Sequence, residues 1–242
     1  MNSELRTIPI AEYEASPGFY LGNSAFNPEW MVQLGIPEPG VIMDIGAYDA
    51  GDAIRLKKRF PNARVIAFEA DPHRAERIKR FIGDYNIEFH RAAITDTTDP
   101  VPFFPSLCLS KDAGSTHIKG TPGGQGSLFR HSENYKTTYP QIRQSENNII
   151  VQGITLAHFC KTYMINNIDL LHIDVEGAEM NVLKGIDWKI TKPRVIFLET
   201  LDGMFQNNNS SAQEIYAFLT GHRYTLAGDF GTDKLYKVNE LV

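Results

Sequence analysis

Apolar runs that alternate with amphipathic stripes are the feature that most constrains how this 242-residue chain can fold. The runs are rich in β-branched residues and contain no regular polar alternation. Such runs are typical of strands that are covered on both faces, as in a parallel sheet. They occupy residues 41–43, 65–68, 87–89, 168–173 and 195–198.

The segments between these runs carry apolar residues at helical spacing, one stripe to each segment. The stripes are Ala53, Leu56 and Phe60; Ala75, Ile78 and Ile82; Leu156, Phe159, Cys160 and Tyr163; and Ala212, Ile215, Tyr216 and Leu219. Asp71-Pro72 is typical of a helix start, and Ser210 followed by Gln213 is typical of a capping box. Strand and helix therefore alternate, which predicts an α/β fold with a mostly parallel, doubly wound sheet.

The domain organisation is predicted from the two ends of the chain and from residues 95–152, which interrupt the alternation of strand and helix. Segments 224–227 and 235–238 flank a loop rich in Gly and Asp, which predicts a hairpin and an antiparallel strand at one edge of the sheet. Residues 1–40 are expected to form an N-terminal cover, with Trp30, Met31 and Leu34 packing on the sheet. Residues 41–242 are expected to form one domain, in which 95–152, rich in Pro and Gly, are an insertion over the ligand crevice.

The composition argues against several classes of function. The formal charge is −5, from 24 basic and 29 acidic residues, so the chain has no basic footprint for nucleic acid. No window approaches the roughly 18 consecutive apolar residues of a membrane span, and the N-terminal residues lack the apolar core of a signal peptide. The two cysteines, Cys108 and Cys160, have no metal-binding spacing. We therefore expect a cytoplasmic protein that binds neither nucleic acid nor membrane, and the sequence indicates no oligomeric state.

The first chemical motif lies where the first predicted strand runs into a helix. It reads Asp44-Ile45-Gly46-Ala47-Tyr48-Asp49-Ala50-Gly51. Small residues after a strand let the backbone approach a ligand, and the helix N-terminus behind them supplies oriented N–H groups. We expect Gly46, Ala47, Tyr48 and Gly51 to contact a cofactor.

The second motif, Phe68-Glu69-Ala70-Asp71, ends the second predicted strand. A carboxylate at this place can accept hydrogen bonds from both hydroxyls of a ribose, which is the role we expect for Glu69. Ala70 and Asp71 are expected beside it. Backbone near Ala92 and Ala93, after the third strand, is expected to complete a nucleoside site.

The kind of nucleoside cofactor is indicated by Asp44, at the tip of the first strand. A dinucleotide needs G-x-G-x-x-G in this turn, whereas the chain has one glycine in the first position and a carboxylate that would repel a pyrophosphate. Asp44 suits a cofactor with a cationic amino-acid end, such as S-adenosylmethionine. A nicotinamide-dependent oxidoreductase and a non-catalytic S-adenosylmethionine-binding module stay open as alternatives.

The third motif places three carboxylates at the carboxyl end of another predicted strand. It runs from Ile168 to Gly185 and includes Asp174, Glu176 and Glu179. Acidic residues at the start of a helix interact favourably with its dipole, which is the structural explanation for them. A ligand-binding role is favoured for Asp174, because ligands bind in the crevice at the strand ends.

These motifs together resemble those of the FkbM-type methyltransferases, which transfer methyl groups from S-adenosylmethionine mostly to hydroxyl oxygens of sugars, polyketides and other natural products. The family's D-x-G-A, A-F-E-P-x-P and I-D-x-x-K-x-D-x-E-G-x-E-x-x-x-L-x-G motifs correspond to residues 44–47, 67–72 and 168–185. The segment around Ser127 looks like the family's Gly-Ser-Ser-Leu, which implies a cofactor contact there. Ala70 stands in place of a proline, and His172 stands in place of the usual lysine.

The resemblance implies a Rossmann-like methyltransferase fold, S-adenosylmethionine as cofactor and a small-molecule acceptor that is methylated on a hydroxyl. Asp174 would orient the acceptor or the cofactor amine, and Glu176 is the second candidate catalytic residue. The possible general bases are His117, His131, His158 and His172. For His172, a place in the core with its hydrogen bonds satisfied is the favoured explanation.

A metal ion is a further alternative, because Glu199 ends the strand after the one that carries Asp174. Some oxygen methyltransferases hold Mg²⁺ between carboxylates in such positions. A direct hydrogen bond from Glu199 to a loop or to the substrate is favoured, since two carboxylates are few for a dedicated site. We therefore expect no metal, and methyl transfer that survives chelation.

Overall fold

The computed structural model describes residues 26–109, 124–208 and 210–239. The predictions for residues 1–25 of the N-terminal cover, for His117 and for the middle of the insertion lie outside the described residues. No helix in the described ranges is both long and apolar enough to cross a membrane.

The strands of the main sheet and the helices between them follow the order that the sequence predicts. The helices are α1 (Glu29–Gln33), α2 (Gly51–Arg59), α3 (Pro72–Ile78), α4 (Glu133–Thr138), α5 (Leu156–Thr162), α6 (Glu179–Lys184) and α7 (Ala212–Gly221). The strands are β1 (Val41–Ile45), β2 (Arg64–Glu69), β3 (Glu88–Arg91), β4 (Ala93–Ile94), β5 (Pro100–Phe103), β6 (Ser106–Cys108), β7 (Ile142–Gln144), β8 (Ile149–Ile154), β9 (Leu170–Ile173), β10 (Val195–Glu199), β11 (Tyr224–Phe230) and β12 (Asp233–Val238).

Among the described residues, seven strands form the main sheet in the order β11-β12-β10-β9-β1-β2-β3. The pairs among β3, β2, β1, β9 and β10 are parallel, and β12 is antiparallel to both of its neighbours. The predicted Rossmann-like, mostly parallel sheet is confirmed. The antiparallel strand lies one place inside the edge, because the hairpin folds back and leaves β11 as the outermost strand.

Apolar side chains cover both faces of this sheet. On one face, Met43 and Ile45 of β1 join a buried cluster that includes residues of α5, α6 and α7. On the other face, Ile42 joins a second cluster with residues of α1, α2 and α3. Met31 is fully buried in that second cluster, and Trp30 and Leu34 pack against it. The sheet is therefore doubly wound, with its carboxyl ends left open for a ligand.

The predicted insertion at 95–152 contributes two small sheets beside the crevice. One has the order β4-β8-β5, and the other pairs β6 with β7. Phe104 and Ser127 exchange backbone hydrogen bonds, which brings the described second half of the insertion against the first. The bounds of the N-terminal cover and of the insertion stay predictions.

Two helix starts test the capping residues that the sequence predicts. The carboxylate of Asp71 accepts a hydrogen bond from the His73 backbone N–H at 2.8 Å, so the predicted start of α3 is confirmed. The predicted capping box at Ser210 is wrong by one residue, because the box is formed by Ser211 and Glu214. The Ser210 hydroxyl instead accepts a hydrogen bond from the Met180 backbone N–H, at 3.0 Å, in the first turn of α6.

Candidate cofactor and acceptor site

The turn after β1 and the strand end of β9 are packed backbone to backbone. Gly46 has φ +89°, and a β-carbon on it would lie 1.7 Å from the carbonyl oxygen of Asp174. No other residue type fits there, because both the conformation and the space exclude a side chain. The first and third sequence motifs therefore meet at one point of the sheet edge.

Glu69 closes the second strand with its carboxylate turned toward that turn. One oxygen accepts from the Tyr48 backbone N–H at 2.9 Å, and the other accepts from the Asp71 backbone N–H at 2.7 Å. Burial raises the pKa of Glu69 to about 7, while the bond from Asp71, the charge of Arg74 and the bond from Tyr48 oppose that rise. The carboxylate is thus fixed by backbone donors, and each oxygen keeps a lone pair for a ligand.

A cavity opens between these strand ends and the insertion. It encloses about 560 Å³ of empty space, open solvent at its mouth included. Seven of the residues predicted for the site line it. They are Gly46, Glu69, Ala70, Asp71, Ala92, Ala93 and Asp174.

The other predicted site residues do not line this cavity. They are Asp44, Ala47, Tyr48, Gly51, Ser127 and Glu176. Ala47 donates its backbone N–H to the Phe68 carbonyl, and Gly51 donates to the Asp49 carboxylate at the start of α2. These two residues shape the turn behind the cavity.

Asp44 has a side-chain partner that the sequence does not predict. It is 1% exposed, and its Oδ1 lies 2.8 Å from Nδ1 of His172 on the neighbouring strand. The contact of Asp44 with the cationic end of a cofactor stays a prediction. The prediction that His172 is a core histidine with a hydrogen-bonding partner agrees with this contact.

Ser127 joins the insertion to the acidic motif. Its hydroxyl donates to the backbone carbonyl of Glu176 at 2.6 Å and accepts from the Phe129 backbone N–H at 2.9 Å. Glu176 has φ +54°, an uncommon conformation for a residue with a side chain. The hydroxyl of Ser127 thus helps to hold the strained loop that carries Glu176.

Several cavity residues are not predicted from the sequence. They are Ile45, Phe68, Arg74, Ile94, Phe103, Gly124, Gly126, Leu128, Val175 and Ala178. Arg74 is 4% exposed, and its guanidinium lies 3.8 Å from the ring centroid of Tyr48. In the sequence, Arg74 could have been singled out because it lies in the first turn of the helix that follows the ribose motif. Phe103 and Leu128 lie in the insertion, where no periodicity indicated which side chains face inward.

Three carboxylates, one of which lines the cavity, lie close together at this edge of the sheet. Asp174, Glu176 and Glu199 each offer an oxygen, and these oxygens lie within 4.8 Å of one another. A divalent cation could bridge atoms at this spacing, although acidic side chains also gather at crevices without one. The prediction that Asp174 and Glu199 share one lip of the sheet agrees with this geometry.

Without a cation, these groups oppose one another's ionisation. The side chain of Asp174 is exposed to the crevice. The surrounding protein nevertheless excludes enough bulk water to raise the pKa of Asp174 to about 6. The charge of His172 opposes this rise, and the charge of Asp233 adds to it. Burial and the charge of Asp174 raise the pKa of Glu199 to about 9. Burial and the charge of Glu199 place the pKa of Glu176 well above its usual range. At neutral pH Glu176 and Glu199 are therefore protonated, and Asp174 is the first of the three carboxyl groups to ionise as the pH rises.

Aromatic side chains of the insertion border this acidic group. Burial raises the pKa of Tyr139, and the charges of Glu199 and Glu176 add to that rise. His131 is also buried, which lowers its pKa to about 4. Its Nε2 lies 3.0 Å from the carbonyl oxygen of Gln125, so Nε2 carries the proton and donates. His131 is therefore a poor general base.

Comparison with known proteins connects this geometry to a family. The family model described as "Methyltransferase FkbM domain" matches residues 44–226. The 2-O-methyltransferase NoeI of Sinorhizobium fredii is 32% identical over 167 residues, which are 69% of this chain and 65% of NoeI. The methyltransferase sdnD of Sordaria araneosa is 25% identical over 184 residues, which are 66% of this chain and 67% of sdnD. The chain thus spans slightly less than two thirds of the length of NoeI.

The O-methyltransferase from Bacillus cereus in complex with SAH is 14% identical, with a TM-score of 0.44 over 95% of this chain and 89% of that one. Similarity at this level does not distinguish one activity from another.

Proposed function

Because the chain belongs to the FkbM methyltransferase family, we propose that it transfers a methyl group from S-adenosylmethionine to a hydroxyl oxygen of a small molecule. The observation that carries the proposal is that Glu69 and Asp174 line the same cavity. Glu69 has a carboxylate suited to bind a ribose, and Asp174 has a carboxyl group that ionises near neutral pH. The name of NoeI, a 2-O-methyltransferase, supports oxygen as the methylated atom.

The residues around the cavity fit such a cofactor. The Glu69 carboxylate is held by two backbone N–H groups and has lone pairs left for the ribose hydroxyls. The bare backbone of Gly46 and the small side chains of Ala92 and Ala93 line the same cavity, so a nucleoside could lie close to the backbone there. When bound, S-adenosylmethionine supplies a sulfonium methyl group, and the acceptor oxygen takes this methyl as the carbon–sulfur electron pair returns to sulfur.

Asp174 is proposed to take the proton of the acceptor hydroxyl. Its carboxylate is exposed to the crevice and lines the cavity, so an acceptor can reach it. A general base is most effective when its pKa lies near the working pH, and a value of about 6 meets that condition. Glu176 and Glu199, which hold protons at neutral pH, can donate hydrogen bonds to other acceptor hydroxyls and so orient the acceptor.

The remaining expectations belong to the same proposal. The acceptor is expected to be a sugar, a polyketide or another small natural product, not a nucleic acid or a membrane lipid, and the protein is expected in the cytoplasm. The insertion at 95–152 is proposed to cover the acceptor, because its Gly126 and Leu128 line the cavity. The turn after β1 lacks the G-x-G-x-x-G of a nicotinamide-dependent oxidoreductase, which favours a methyltransferase. A non-catalytic module would not require a base such as Asp174.

The test is methyl transfer from S-adenosylmethionine labelled in its methyl group to pools of hydroxylated small molecules. We expect label in an ether linkage that survives mild base, and no transfer with the Asp174→Asn variant. Label released by mild base would mark a methyl ester and would contradict hydroxyl methylation. Label found on nitrogen would contradict it as well.

A further inference from the structure

His172 and Asp44 form a buried pair under the crevice. They are register partners on the neighbouring strands β9 and β1, and Nδ1 of His172 lies 2.8 Å from Oδ1 of Asp44. A carboxylate can only accept, so Nδ1 carries the hydrogen of this bond. The side chains are 8% and 1% exposed, which shields the interaction from solvent.

The packing around the imidazole fixes it in place. The ring of Phe197 on β10 stacks on it at 5.6 Å between centroids, and the ring of Phe26 lies at 6.3 Å. The charged groups that face His172 are acidic: Asp44 on β1, Asp52 on α2 and Asp174 at the end of β9, together with Asp233 on β12. Burial disfavours an imidazolium, but the hydrogen bond and charge of Asp44 outweigh burial and raise the pKa of His172 to about 9. His172 is therefore positively charged at neutral pH.

Asp174 directly follows β9, two residues after His172. Its backbone N–H donates to the Ile45 carbonyl of β1 at 2.9 Å, so the pairing of the two strands continues to Asp174. Side chains two residues apart in a strand lie on the same face, and the charges of His172 and Asp174 affect each other's ionisation. Burial raises the pKa of Asp174, His172 lowers it, and the carboxylates of Asp233, Asp52 and Asp44 raise it. Among these named neighbours of Asp174, His172 is the one that favours its ionised form.

We infer that His172, held by Asp44, is a positioning residue that keeps Asp174 in its carboxylate form at the crevice. The inference rests on the proposed function for its catalytic meaning, since there Asp174 takes the acceptor proton. It assigns the buried Asp44–His172 pair a role in the reaction that is exerted through Asp174.

The direct test follows the ionisation of Asp174 by ¹³C NMR of its side-chain carboxyl, assigned with the Asp174→Asn variant. An opposite charge nearby typically shifts a carboxylate by about 1 to 3 units. In His172→Gln, the titration midpoint of Asp174 should therefore rise by about one unit. In His172→Lys, which keeps a positive charge, it should return toward the wild-type value. Lys161→Gln, which removes an exposed cation from α5, should leave it unchanged.

An unchanged midpoint in folded His172→Gln would overturn the inference, whatever the activity. If that variant does not fold, the protonation state of His172 in the wild type decides. The ¹⁵N shifts of its imidazole should be those of an imidazolium across the pH range in which Asp174 titrates, and the shifts of a neutral imidazole in that range would overturn the inference.

The kinetic arm separates positioning from structural support. The acid limb of kcat/KM should move upward in His172→Gln with the Asp174 midpoint, and His172→Lys should restore it. An equal loss at every pH would show a structural role and overturn the inference. Absence of methyl transfer in the wild type would contradict the proposed function, whereas the NMR titration would still decide the ionisation of Asp174.

Discussion

The carbonyl oxygen of Asp174 lies where the β-carbon of any other residue at position 46 would be, at a separation of 1.7 Å. Gly46 directly follows β1 in the first motif, and Asp174 directly follows β9 in the acidic motif. This close approach brings both motifs to one cavity wall. The relative position of the two motifs therefore depends on a glycine.

Gly46→Ala should accordingly disturb both motifs. The added methyl cannot be accommodated without moving the backbone of β1 or β9, so we expect a lower unfolding temperature and weaker binding of S-adenosylhomocysteine. Gly35→Ala is the matched control, because Gly35 also has a positive φ, +82°, but a β-carbon there would meet nothing within 4 Å. Thermal unfolding of both variants checks this. Equal losses would mean that backbone strain, and not the contact with Asp174, explains the effect.

Asp174→Asn should abolish most activity while leaving cofactor binding nearly intact. General bases typically contribute about 10² to 10⁴-fold in rate, and an amide cannot accept the proton. In the wild type, activity should fall as the pH drops through about 6, because burial raises the pKa of Asp174 to that value and the protonated form is inactive. Steady-state kinetics across pH check both points. Asp84→Asn, a change to an exposed residue, is the control, and comparable kinetics of the two variants would refute the role of Asp174.

The main sheet could be predicted from the sequence because its strands are continuous apolar runs between Gly, Pro and Asp signals. Glu69 and Asp174 could be predicted as well, since each directly follows or ends such a run. The contact between Asp44 and His172 could not, because it depends on the register between two strands far apart in sequence. A carboxylate at a strand tip looks the same whether it faces a cofactor or a neighbouring histidine.

Local signals in loops were weaker still. Ser210 and Ser211 are adjacent, and only the backbone geometry determines which one caps α7. In the insertion, Ser127 was singled out by a motif, yet Gly126 and Leu128 line the cavity while Ser127 bonds to Glu176. A shift of one position along the chain therefore decides which residue lines the cavity.

Methyl transfer should persist in EDTA. Asp174 acts in the proposal as a free carboxylate, and methyl transfer from a sulfonium needs no Lewis acid when a base takes the proton. The assay compares rates before and after chelation, with Mg²⁺ added back. Loss of activity that Mg²⁺ restores in the wild type but not in Glu199→Gln would instead make the group of Asp174, Glu176 and Glu199 a metal site.

The described end of the insertion should become protected when a ligand binds. Gly124, Gly126 and Leu128 line the cavity, so their backbone N–H groups should exchange more slowly with S-adenosylhomocysteine bound. Hydrogen exchange of peptides covering 124–130 checks this, with α7 as an internal reference. Equal exchange with and without ligand would indicate that the segment is structural packing and not a cover.

The central claim is that Glu69 binds the ribose of S-adenosylmethionine, and calorimetric titration with S-adenosylhomocysteine tests it most directly. Hydrogen bonds to a charged group contribute about 1.5 to 3 kcal/mol, so Glu69→Ala should weaken binding about tenfold or more. Glu88→Gln, which removes an exposed carboxylate from β3, should bind like the wild type, and NAD⁺ should not bind. Unchanged affinity in folded Glu69→Ala, or a wild-type protein that binds NAD⁺ but not S-adenosylhomocysteine, would contradict the account.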